Sequence, residues 1–271
     1  MLELFKPYKY KLSFTFLLII LESIGWILFP FVIGVAINDY LEGSHRGLIL
    51  FGLLGSVTLV LMTVRRLYDT RLYSKIYEHI GLASTKQNTQ LSAKTARLNM
   101  LREIVEFFEH SMPELINSFA VLFGSLFFLA FLSIKVFIAA LIVSVLIVLI
   151  YGLSSKKTLR YNREFNDEYE KQVDVVKHNK EVKVQKHILR LNTWTIKLSD
   201  IETLNFGLTW VLVICLQLFA IVVSANEAVA YGTILSIVLY VFEFTETSIQ
   251  IPYSWQEYLR LKDIFQRVRK T

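Results

Sequence analysis

One cysteine, four prolines and 11 glycines occur in 271 residues. Cys215 has no partner for an internal disulfide, and no C-x-x-C pair offers a thiolate metal site. With so little Gly and Pro, the long polar segments lack the composition of flexible linker. The five histidines give no metal set. His110 and Glu114 stand at i,i+4, but two ligands do not make a site and a position at a helix end accounts for both. His178 and His187 lie in a charged segment and are expected on a solvated face. No Ser–His–Asp order and no nucleophile elbow is recognisable, so an enzyme active site is not supported.

What the chain has in quantity is apolar sequence. It is 54% hydrophobic, with a mean hydropathy of +0.47, more than a soluble domain of this length carries. Six apolar stretches, near residues 12–33, 47–64, 115–132, 136–153, 204–223 and 229–251, are each close to the roughly 20 residues that a helix needs to cross hydrocarbon. The first exceeds the apolar core of a signal peptide, and no small-x-small site follows it, so it is expected to remain as a span. The expected fold is an all-α membrane protein with six transmembrane helices, organised as one domain over 1–271.

The net charge of +6 could suggest nucleic acid, but the distribution of that charge points elsewhere. The amino terminus holds three Lys and Arg, segment 65–113 eight, segment 154–203 eleven and the tail after Ile251 five. Of the 29 basic residues only Arg46 and Lys135 fall on the other side of the spans. The positive-inside rule then puts both termini and both long segments in the cytoplasm, across a plasma membrane or a bacterial inner membrane. The lipid bilayer is the implied partner, and nucleic acid is not.

The outer connections are short, near 34–46, 133–135 and 224–228, and leave no room for an external domain. The two inner segments are rich in Leu, Ala, Lys, Arg and Glu, and read as helical extensions of the spans. Two helices with a turn near Gly81–Gln90 are expected in the first, and Asp167–Lys171 gives a favourable i,i+4 pair in the second. Legs of about 20 residues would reach about 30 Å past the membrane. Residues 111–114 (SMPE, with Pro113 in the first turn) and 199–202 (SDIE) match capping boxes and suggest helix starts at the return to the membrane.

This layout resembles the transmembrane domain of ABC exporters. Residues 29–43 (FPFVIGVAINDYLEG) are similar to that family's end of the first helix, 97–109 (RLNMLREIVEFFE) to its approach to the third, and 197–202 (KLSDIE) to a stretch before the fifth. No G-x-x-x-x-G-K-[ST] phosphate loop and no LSGGQ-like signature occurs, so the chain is expected not to hydrolyse ATP by itself. It resembles standalone six-helix members, an exporter half without its ATPase. The resemblance implies a homodimer or heterodimer of such halves and a separate ATP-binding protein. ATP would act only through that partner, with no metal or cofactor in this chain. It also implies docking at the loop tips, near Gly81 and Ser84 and near Lys177 and Glu181.

Charged side chains at bilayer depth are costly and usually face a cavity or a partner. Glu22 lies about ten residues into the first span, and Glu243 and Glu246 are three apart, on one face of the sixth. With Gln217, and Gln250 near the end of the sixth span, they suggest a substrate pathway receiving a cation or a proton. The other reading of Glu243 and Glu246 is a solvated or Arg-paired position in an inner vestibule. Pro30, between Gly25 and Gly34, should kink or end the first helix near its outer face, and Pro30 and Gly34 are hinge candidates. Phe127, Phe128, Tyr240 and Phe242 could stack on a substrate, although lipid contact and interface anchoring explain most membrane aromatics, Trp26, Trp210 and Tyr253 among them. The expected function is a transmembrane subunit of an ABC-type exporter. The alternatives are an ATPase-less scaffold, sensor or accessory protein of the same fold, or a proton-coupled carrier using the intramembrane glutamates.

Overall fold

The computed structural model describes residues 6–85, 98, 101–169, 171–177, 181–227 and 230–270, with backbone alone at 6, 83–85, 173–174, 176 and 251–270. Among the described residues there is no strand. Six helices are long and apolar enough to cross a membrane. In chain order they are α1 (Lys9–Leu41), α2 (Arg46–Thr85), α3 (Leu101–Leu132), α4 (Ile134–Tyr169), α6 (Glu181–Asn226) and α7 (Tyr231–Lys270), with a short α5 (Gln172–Lys177) after α4. Each overlaps one of the expected apolar stretches. The helices run beyond those stretches without a break: α2 has 40 residues and α6 has 46.

That continuity corrects several local expectations. The first outer connection shrinks to four residues, because 34–41 stays helical. Gly43 turns the chain at φ +79°, with its N–H bonded to Tyr40 O at 3.0 Å and the Ser44 N–H to Asp39 O at 2.8 Å. A residue with a Cβ is disfavoured at that φ. Pro30 neither ends nor breaks α1, which continues to Leu41. Neither capping box starts a helix. Ser111 lies inside α3, at the end of a π-helical turn (Phe107–Ser111), and makes no side-chain cap; 199–202 is interior to α6. Where a helix passes through, the backbone amides already have partners and there is nothing to cap.

At the first long segment, Gly81 lies within α2 rather than in a turn, and 86–90 fall outside the described residues. In the second, α4 stops at Tyr169, so Asp167 and Lys171 do not share a helix; Lys171 bonds Glu168 instead, Nζ to Oε2 at 3.2 Å.

The chain divides into two compact units, 1–134 with 220–271, and 135–219. In the first, α1 packs against α2, α3 and α7. Near Gly34 and Gly232, α1 and α7 meet backbone to backbone: a Cβ on either glycine would collide with the other helix. Ser236 donates to Pro30 O and Tyr240 to Ile27 O, both at 2.8 Å, and the Gly232 N–H donates to Asn38 Oδ1 at 2.8 Å. Small residues permit this approach, and the hydroxyls bond carbonyls in a setting that has no water to offer them. Beyond the apolar stretches, Leu72, Tyr73 and Ile76 of α2 and Leu101, Ile104, Val105 and Phe107 of α3 form a buried core. In the second unit, α4 and α6 are joined by Asn205 Nδ2 donating to Ser154 Oγ at 2.8 Å, and by Tyr161 against Trp194, with ring centroids 5.7 Å apart.

Gly34→Val and Gly232→Val are each expected to destabilise the protein by about 1–3 kcal/mol through overpacking, seen as a lower melting temperature in detergent. Gly52→Ala, where an added Cβ meets nothing within 4 Å, is the control and should hold or raise stability slightly.

Candidate functional site: a charged cavity between α1, α2 and α3

Helical spacing places Arg65 and Asp69 on one face of α2, and Glu109 or His110, Pro113 and Asn117 on one face of α3. The π-helical turn at Phe107–Ser111 adds a residue to its turn and so resets which α3 side chains face inward. Together with Glu22 and Ser23 of α1 these faces enclose a cavity of about 260 Å³, lined also by Arg66, Thr70 and Glu114.

Arg65 is the centre of its bonding. Its Nε donates to Glu22 Oε2 at 2.5 Å and its Nη1 to Asp69 Oδ2 at 3.2 Å. Thr15 Oγ1 donates to the other oxygen of Asp69 at 2.7 Å. The Arg65 and Glu22 side chains are only 17% and 14% exposed, and Asp69 is buried. A guanidinium has a fork of fixed donors, so one side chain can bridge carboxylates on two helices. On the far wall, Thr70 donates to Glu109 Oε1 at 2.8 Å. Four carboxylates, Glu22, Asp69, Glu109 and Glu114, face two guanidinium groups, Arg65 and Arg66, so the walls are acidic on balance.

Of the residues singled out in the sequence, Glu22 lies in this cavity, already matched by a cation. Glu243 is elsewhere: half-buried on α7, it accepts a hydrogen bond from Ser125 Oγ at 3.3 Å. Glu246 is exposed, and Gln217 is half-buried on α6 in the other unit. Glu243 and Glu246 are not among the residues that line this cavity. Pro30 and Gly34 are buried against α7 rather than at a break. Ser84 falls within α2, Lys177 ends α5 and Glu181 begins α6. Tyr240 stacks on Phe128 at 4.9 Å and 6°, and Trp26 on Phe29 at 5.3 Å. His178 and the Tyr253 side chain lie outside the described residues.

Sequence reasoning missed the remaining wall of the cavity: Arg65, Asp69, Thr70 and Glu109. The i,i+4 spacing of Arg65 and Asp69, immediately after an apolar stretch, was a usable signal for part of it. His110 and Glu114 both line the cavity.

A second polar cluster sits in the other unit, beyond the apolar stretch of α4. Glu168 is buried and accepts from His187 Nδ1 at 3.0 Å and from Lys171 Nζ, with Arg190 Nη1 at 3.8 Å. His187 is 5% exposed, so the solvated position expected for it is incorrect. Its partner is 19 residues away, across the α4–α6 hairpin. Burial pushes the Glu168 carboxyl up, but the hydrogen bonds from His187 and Lys171 and the charges of Lys171 and Arg190 outweigh it and hold the group below its ordinary value. No group of three or more His, Cys, Asp or Glu able to hold a metal occurs among the described residues.

Six span-length helices, each with a long apolar window, define a multi-pass α-helical membrane protein. The chain belongs to the ABC transporter transmembrane region family, which matches residues 2–232. No curated protein matches it significantly.

Two outcomes follow from these clusters. Arg65→Met should cost about 3 kcal/mol, because it leaves two buried carboxylates without a cation. The Glu22→Gln, Arg65→Met double variant should lose less than the sum of the single changes, which a double-mutant cycle of melting measurements would show. For Glu168, a folded pKa below the unfolded one means its stabilisation is present above the ordinary value of 4.5 and fades as pH falls through the lowered value. Glu168→Gln should remove that stabilisation, so its deficit against wild type at neutral pH should narrow in acid.

Proposed function

We propose that this chain is the membrane subunit of an ABC-type exporter. It works as a dimer of six-helix halves, with both termini at the cytoplasmic face and with ATP hydrolysed on a separate protein. The observation that carries the reading is the family match over residues 2–232. The one-sided distribution of Lys and Arg supports the orientation. The helices that continue past the apolar stretches support a role in passing movement between the bilayer and a partner. Gly81, Ser84, Lys177 and Glu181, near the ends of those extensions, are the docking candidates.

Within this reading the charged cavity is a polar stretch of the route through the protein, and Glu22 acts on cargo together with Arg65. Protonating Glu22 would give up its ion pair, which weighs against a proton-coupled carrier built on that carboxylate.

The test is reconstitution. Coexpression with its separately encoded ATP-binding cassette partner should give a complex that copurifies and whose ATPase rate changes on insertion into liposomes. Charge reversal at Lys177 and Glu181 should weaken that complex about tenfold, the equivalent of about 1.4 kcal/mol. Flux driven by a pH gradient, with no ATPase ever retained, would replace the exporter with a carrier, and silence in both assays would leave a scaffold or sensor.

A further inference from the structure

We propose that the basic face of α4, just beyond its apolar stretch, is a binding site for anionic phospholipid headgroups. Val145, Leu149 and Leu153 form an exposed line on α4, Leu153 with 82% of its surface free. At helical spacing the same line runs on into Lys156, Lys157, Arg160 and Arg163, all exposed. The ten residues 154–163 hold those four cations and no carboxylate. A face that is apolar and exposed up to one level and cationic immediately after it has the profile of a surface crossing from acyl chains to headgroups. Long cationic side chains at that depth lay their stems along the apolar surface and hold the charge at the phosphate level.

Three further observations favour a lipid anion. Among the described residues none of the four cations is in an ion pair, whereas Lys171, farther along the chain, is. Lys197 of α6 sits 4.3 Å from the Trp194 ring centroid and 5.7 Å from that of Tyr161, and Arg160 sits 5.7 Å from Tyr161. These aromatic contacts hold Arg160 of the stripe and Lys197 beside it, with rings of the type that settle at the headgroup level. Finally, α6 places Asp200 and Glu202 opposite 155–157, in the antiparallel register set by Asn205 with Ser154 and Trp194 with Tyr161. The carboxylate-free run of cations, and with it the anion site, belongs to α4.

The experiment uses the full chain in nanodiscs of phosphatidylcholine with and without phosphatidylglycerol. Phosphatidylglycerol should raise the melting temperature of the wild type, and added salt should reduce the rise. Each of Lys156→Gln, Lys157→Gln and Arg160→Gln should lower anionic-lipid affinity about fivefold, read by titration with labelled lipid. Lys183→Gln and Lys186→Gln, at the start of α6, should leave it unchanged. The single changes guard against a multiple variant that fails to fold, and Lys156→Arg should retain binding. An equal phosphatidylglycerol shift in wild type and all three stripe variants would overturn the proposal. So would an equal shift from soluble glycerophosphate, which would make the face a site for free phosphate.

Discussion

An amide buried in hydrocarbon has no water to bond, and that single constraint sets the character of this protein. It makes every crossing segment a helix, and it favours helices that overrun the membrane rather than stop inside it. It also explains why hydroxyls appear where they do. Ser236 and Tyr240 spend their donors on the Pro30 and Ile27 carbonyls of α1, and Ser125 donates to Glu243. Each contact satisfies two polar groups at once and fixes one helix against another.

The same constraint acts harder on charge. Arg65 lies close to the end of the apolar part of α2, where an isolated cation would be costly, and Glu22 and Asp69 would be costlier without it. Joined, they form a network that extends through Thr15 and ties α1 to α2 by side chains alone. The network leaves the cavity beside it polar. The carboxylates of Glu109 and Glu114 and the second guanidinium, Arg66, remain to shape what the cavity accepts.

The number and position of the spans were legible in the sequence because each is a run of apolar residues long enough to cross the bilayer, a signal that needs no knowledge of neighbours. Local punctuation was less readable. SMPE and SDIE have the residues of a cap, yet a cap exists only where a helix begins, and α3 and α6 pass straight through both. Pro30 suggested an end or a kink, but α1 runs through it to Leu41, bonded there to Ser236 of α7. Glu22 could be picked out as an unusual charge at depth. That its partner is Arg65, 43 residues away, could not be read, because the pairing depends on how two helices lie together. His187 was misjudged for the same reason: its surroundings in sequence are charged, while its surroundings in space are Glu168 and the inner side of a hairpin.

Within the first unit, α1 is held in two unlike ways along its length. Toward its carboxyl end it meets α7 through Gly34 and Gly232, at a distance that no side chain permits, with carbonyls and hydroxyls already matched. Separating that contact would strip backbone groups of partners where water is scarce. Toward its amino end it meets α2 through Glu22, Arg65, Thr15 and Asp69, beside a cavity that can admit water. Parting those groups exchanges an ion pair for hydration, a smaller cost per contact in a wet cavity than in a dry one. The difference follows from solvent access alone, and it makes the α1–α7 contact the stiffer of the two and the charged cavity the softer one.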